Sequence, residues 1–142
     1  MDRKSEARWS GDLKSGKGTV KLGSGAFEGA YSFLSRFESG TGTNPEELLG
    51  AAHAGCYSMA LAHALAQAGH TATSVATTAT VHLAKTEAGF SITGIGLATK
   101  GVVPGISPAE FQRFAEETKV KCIVSRALSA VPMTLEAELA RG

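Results

Sequence analysis

Cys56 and Cys122 are the only two cysteines in this chain of 142 residues, and the surroundings of Cys56 are unusual for a packing residue. From Leu48 to Ala84 a run of 37 residues holds no Lys, Arg, Asp or Glu, and Cys56 lies inside it. Upstream stand an arginine, Arg36, and two carboxylates, Glu46 and Glu47. A thiol has a pKa near ~8.5 in water, and burial on an apolar helix raises it. Cys56 would lie about twelve residues into its helix, too deep for the N-terminal dipole to lower that value. A reactive thiol there needs a cation. Arg36 is the best candidate, because it precedes the helix in an otherwise apolar segment and a guanidinium stays charged when partly buried. It needs a counter-charge in turn, which Glu46 or Glu47 can supply from the first helical turn. This pattern points to thiol chemistry, with any pairing of Cys56 and Cys122 transient and catalytic. The plainer alternatives are inert buried cysteines, a rim salt bridge at Arg36 and ordinary acidic residues at a helix start.

His53 and Cys56 are i and i+3 and share a helix face. They could form a Cys–His nucleophile pair or two metal ligands, with His63, His70, His82 or Cys122 to complete a site. None of these has metal-type spacing such as C-x-x-C or H-E-x-x-H, so no metal is expected. His53 is expected to be a partly buried, hydrogen-bonded helix residue. Gly16, Gly18, Gly23, Gly25 and Gly29 fit hairpin turns rather than a phosphate cradle.

The size fits a single domain over residues 1–142. Apolar residues make up 43%, enough for a core, and the net charge of +1 suggests neither a nucleic-acid nor a membrane-surface partner. The first seven residues carry charges with no apolar run behind them and do not read as a signal peptide. The uncharged stretch is built on Ala and Gly and contains His53, Ser58, His63 and Gln67, so it does not read as a membrane span. The expectation is a cytoplasmic protein with reduced thiols.

Elements must position these residues. Strands are expected at 5–11, 18–22 and 31–38, the last because Tyr31, Phe33 and Phe37 alternate with Ser32, Leu34, Arg36 and Glu38. A long helix follows over 44–68, with Asn44 or Thr43 as cap, Pro45 at its first position and Gly69 as its stop. A helix with no charged face is expected to be covered on most sides, and a partner subunit is the simplest cover. Strands at 75–83 and 89–100 form a hairpin, the second with a bend at Gly94. Ser107 and Glu110 make a capping box for a helix that weakens near Cys122. A short helix at 123–128 and a clean strand from Val131 to Leu139 close the chain. The order β-β-β-α-β-β-α-α-β argues α+β with mainly antiparallel sheet.

The chain resembles the peroxidases related to osmotically inducible protein C (OsmC) and the organic hydroperoxide resistance protein (Ohr). The likeness rests on Trp-Ser-Gly-Asp-Leu-Lys-Ser-Gly-Lys-Gly at 9–18 and Ser-Arg-Phe-Glu at 35–38. It continues with Gly-Thr-Asn-Pro-Glu-Glu-Leu-Leu-Gly-Ala-Ala-His-Ala-Gly-Cys at 42–56, and with Lys121-Cys122 followed by Val-Ser-Arg-Ala-Leu at 124–128. His53 and the Trp9 opening are more similar to the OsmC branch. The resemblance implies that Cys56 is the peroxidatic cysteine and Cys122 the resolving one. It implies that Arg36 stabilises the thiolate and orients the peroxide, and that Glu46, rather than Glu47, holds Arg36. It further implies an intertwined α+β homodimer around two long central helices, with active sites at the subunit interface. The substrates would be organic hydroperoxides and the reductant an external lipoyl-type dithiol, with no metal or nucleotide cofactor.

Overall fold

The computed structural model describes residues 1–141, in two compact units that divide at Leu48. The first unit holds a three-stranded antiparallel sheet in the order β1-β2-β3: β1 (Ser5–Ser10), β2 (Lys17–Leu22) and β3 (Glu28–Tyr31). Trp9 of β1 meets Tyr31 of β3 across the central strand, with ring centroids 5.3 Å apart. Gly18 lies between them on β2, where a Cβ would overlap both rings. That position therefore excludes any side chain.

The strand expected over 31–38 is instead the end of β3 followed by a short helix, α1 (Phe33–Phe37). Phe33 and Phe37 fit alternation, but they are also i and i+4, and their rings meet at 5.0 Å on the helix. The serines decide between the two periods. Ser32 Oγ accepts from Ser35 N–H at 3.1 Å, and Ser35 Oγ accepts from Ser32 N–H at 2.9 Å. This reciprocal cap satisfies two donors that a helix start leaves free. Ser35 Oγ also donates to the Thr43 carbonyl at 2.7 Å, tying α1 to the segment before the next helix.

The long helix, α2, runs Pro45–Gln67. Asn44, not Thr43, caps it: Asn44 Oδ1 accepts from Glu47 N–H at 2.8 Å. Gly69 ends it at φ 88°, a left-handed conformation that favours glycine.

In the unit from Leu49 onward, α2 packs on a sheet of order β4-β5-β6. The strands are β4 (Ser74–Thr86), β5 (Gly89–Val102) and β6 (Met133–Leu139). β4 and β5 form the expected hairpin. Its register shifts between His82 and Leu83, opposite Thr93, which gives the bend anticipated near Gly94. β6 lies parallel to β5, from Ile95↔Met133 to Gly101↔Leu139, so this sheet is mixed. Two helices, α3 (Pro108–Lys121) and α4 (Ile123–Ala127), separate β5 from β6, and that crossover is what a parallel pairing requires.

Tyr57, Leu61 and Leu65 of α2 form the core with Ile95 and Leu97 of β5 and Phe111 and Ala115 of α3. Tyr57 Oη donates to the Ala115 carbonyl at 2.8 Å, so this buried hydroxyl between helices is paired. Burial pushes the Tyr57 hydroxyl well above the usual tyrosine range. The opposite face of α2 is not covered by the described residues. Ala51, Ala52, Gly55, Met59, His63 and Ala66 are exposed, Met59 to 76%. Their helical spacing makes one continuous uncharged stripe.

Candidate active site

In the first unit Arg36 sits in the last turn of α1 and Glu46 in the first turn of α2. Arg36 Nη2 donates to Glu46 Oε1 at 2.8 Å, and Nε lies 3.2 Å from the same oxygen and 3.3 Å from Oε2. Two nitrogens of the guanidinium thus fork onto one carboxylate, the geometry in which arginine is held most firmly. Glu46 is buried and Arg36 is partly exposed. Glu47 is occupied elsewhere, accepting from Thr43 Oγ1 at 2.7 Å. The choice between the two glutamates, open from residue types alone, falls to Glu46. Arg36 also stacks its guanidinium 5.2 Å from the Phe37 ring centroid. Beside it lies a hollow of about 290 Å³, lined by Trp9, Leu13, Tyr31, Phe33 and Phe37 together with Arg36.

In the second unit Cys56 projects from α2, and Cys122 stands at the junction of α3 and α4. Both are free thiols, and their sulfurs are 3.1 Å apart. Cys122 is 1% exposed, whereas Cys56 is partly exposed. Burial pushes the Cys56 thiol up, and the Cys122 sulfur adds to that, against the N–H groups of Val124 and Ile123. For Cys122, burial also pushes upward, but other groups outweigh it. The Ser125 N–H, the Cys56 thiol, the Ser125 hydroxyl and the Val124 N–H together bring it below the ordinary range. Two sulfurs this close share their ionisation, so a charge on one opposes a charge on the other.

His53 is fully buried one turn before Cys56, more deeply than its sequence suggests. Its Nε2 lies 2.7 Å from Ser125 Oγ, and its buried Nδ1 has no hydrogen-bond partner among the described residues. Burial lowers its proton affinity and so favours the neutral ring. Nothing in residue type points to Ser125; its one signal is a spacing of three residues after Cys122. Among the described residues no group of three or more His, Cys, Asp or Glu could hold a metal ion. Among the same residues no helix is long and apolar enough to cross a membrane.

Residues 38–136 match the model of the OsmC-like protein family. The peroxiredoxin OsmC of Escherichia coli strain K12 is 49% identical over 140 residues, which is 98% of this chain and 97% of that protein. The chain belongs to the OsmC-like family. Solved structures agree on the fold. The organic hydroperoxide resistance protein OhrB of Bacillus subtilis superimposes with a TM-score of 0.72 at 22% identity, over 96% of this chain and 98% of that one. An OsmC-like protein of unknown function from Vibrio cholerae does so with a TM-score of 0.76 at 16% identity, covering 96% and 99%.

Proposed function

We propose that this protein is a cysteine-based peroxidase that reduces organic hydroperoxides, and hydrogen peroxide as a simpler case. The observation that carries this reading is the 3.1 Å approach of two free sulfurs 66 residues apart in sequence. Cys56 is the peroxidatic residue, since it is the more accessible of the two. Its thiolate attacks the terminal peroxide oxygen, the O–O bond breaks and the alcohol leaves, so that Cys56 becomes a sulfenic acid. Cys122 then displaces the oxygen as water and forms the Cys56–Cys122 disulfide. An external dithiol of the lipoyl type, in the cytoplasm, restores both thiols by exchange. Burial alone would keep Cys56 protonated, so a cation is needed. Arg36, held by Glu46, serves as that cation. The aromatic hollow beside Arg36 suits an alkyl or aryl hydroperoxide. His53 is not placed to act as a hydrolase base, because its ring is wholly buried and its Nε2 is engaged with Ser125.

The reading is tested by adding one equivalent of cumene hydroperoxide to reduced protein and counting thiols and mass. Wild type is expected to lose both thiols and two hydrogens per chain. Cys122→Ser is expected to gain one oxygen on Cys56 instead. Retention of both thiols in wild type would sink the peroxidase reading.

The protein is further proposed to be an intertwined homodimer with its two α2 helices at the centre and its active sites at the subunit interface. The uncharged stripe through Gly55 and Met59 supports this, because small residues let two helix backbones approach closely and leave apolar surface that a monomer would expose. Met59→Glu places a charge on that face. Sedimentation velocity should find a dimer for wild type and mainly monomer for the variant; equal mass for both would refute the interface.

A further inference from the structure

We propose that Trp9 pins the turn between β1 and β2 so that Leu13 selects the organic group of the hydroperoxide, and that the group selected is a compact aryl or branched alkyl one. This inference rests on the peroxidase reading above, and it assigns roles to two residues outside the set Cys56, Cys122, Arg36 and Glu46.

The turn is built around the indole. Trp9 Nε1 donates to the carbonyls of Gly11 at 3.1 Å and Asp12 at 3.2 Å. The Asp12 carboxylate closes the other side as an Asx turn: its Oδ1 accepts from the N–H groups of Lys14 at 2.9 Å and Ser15 at 2.8 Å, and its Oδ2 accepts from the Ser15 hydroxyl. The Asp12 carbonyl also accepts from Gly16 N–H at 2.9 Å. Hydrogen bonds thus fix the backbone on both sides of Leu13, whose side chain is 59% exposed. A single exposed leucine is ordinary on a protein surface. This one lines the same hollow as Arg36, and it is the most exposed of the apolar residues there, so it has the most surface for a bound organic group to cover.

The lining says what the hollow takes. Trp9 and Tyr31 form one pair of rings and Phe33 and Phe37 another. The four rings and Leu13 offer apolar surface, and Arg36 is the one charged group among the described residues that line the hollow. A hydroperoxide has the same division: a polar O–O end for the guanidinium and an apolar end for the rings and Leu13. Volume limits its size. At about 290 Å³ the hollow lies at the bottom of the ~300–1,000 Å³ range of small-molecule sites, so it holds a compact group and leaves much of a long linear chain in water. Ring faces and edges favour an aryl group within that limit. Leu13 touches the organic group and sets specificity, whereas Trp9 acts through the turn and is a positioning residue.

The test measures, by stopped flow on reduced protein, the rate constant of the first oxidation with each of several peroxides. The readout is the ratio of the rate with cumene hydroperoxide to that with hydrogen peroxide, which has no organic group. Leu13→Ala should lower this ratio about 4- to 15-fold, the effect of uncovering one or two methylene groups. Leu13→Met keeps the apolar volume and should hold the ratio within about twofold of wild type. Trp9→Phe keeps a ring against Tyr31 but removes the indole N–H, and it should lower the ratio as Leu13→Ala does. Wild type should also react faster with cumene hydroperoxide than with linear dodecyl hydroperoxide. An unchanged ratio in Leu13→Ala, or an equal loss with both peroxides, would overturn selection by Leu13 while leaving the peroxidase intact. An unchanged ratio in Trp9→Phe would overturn its role as the pin, and equal or faster reaction with dodecyl hydroperoxide would overturn the compact class. If wild type is oxidised by no peroxide, the peroxidase reading falls and takes this inference with it.

Discussion

Cys56→Ser protein is expected to consume organic hydroperoxide at least about 10³-fold more slowly than wild type, because a serine hydroxyl supplies no anionic nucleophile at neutral pH. The contrast with Cys122 makes the result diagnostic. Cys122→Ser removes the partner but keeps the attacking sulfur. Its first turnover should therefore proceed at close to the wild-type rate, and only later turnovers with a dithiol reductant should slow. Peroxide loss under single- and multiple-turnover conditions, measured on the two variants side by side, distinguishes these roles. If both thiols were packing residues, Cys56→Ser would lose nothing. If the roles were exchanged, Cys122→Ser would be the variant that fails in the first turnover. Within the second unit it is Cys122, not Cys56, that lies below its ordinary range. Accessibility argues the other way, since a peroxide arriving from solvent meets partly exposed Cys56 before buried Cys122.

Arg36→Ala is expected to slow the first step about 10- to 10³-fold at neutral pH, through a rise in the Cys56 pKa. In the role proposed for Arg36, an opposite charge beside the thiolate is worth about 1–3 pKa units, and without it burial and the Cys122 sulfur push the thiol up against only the Val124 and Ile123 N–H groups. The sign fixes the shape of the pH profile. Thiolate rises tenfold per pH unit below the pKa and levels off above it, so the loss should be greatest at acid pH and shrink under alkaline conditions. Ultraviolet thiolate absorbance and the rate of sulfenic acid formation, followed against pH, should move together. Glu46→Gln should do less, about 3- to 10-fold, because the guanidinium keeps its charge but loses the forked partner that aims it. Superimposable pH profiles for wild type and Arg36→Ala would remove the arginine from the mechanism and leave the thiol without its cation.

Much of the fold was legible from local signals. Asn44 and Pro45 mark the start of α2 and Gly69 its end, because helix termini depend on caps and left-handed glycines that only a few residues supply. The β4–β5 hairpin and its bend were readable from period-2 alternation and a change of phase at Gly94. The segment from Ser32 to Phe37 was not. Its apolar spacing fits a strand and a helix equally over so few residues, and paired serines at three-residue spacing carry the difference. The direction of β6 was also hidden. Alternation reports which face a strand buries, but it is blind to the orientation of the neighbour it pairs with.

By itself, the order of residues determined which groups are available for chemistry: two thiols, one arginine in an apolar segment, two carboxylates at a helix start and a long helix without charge. Those properties are local, since they depend on side-chain type and short-range spacing. Tertiary structure alone decided which of them meet. It set Glu46 rather than Glu47 against Arg36, brought Cys122 to within 3.1 Å of Cys56, and placed Ser125 against His53 in the interior. Such meetings join positions up to 72 residues apart. They follow from how helices and sheets pack around a shared core, which no stretch of neighbouring residues encodes on its own.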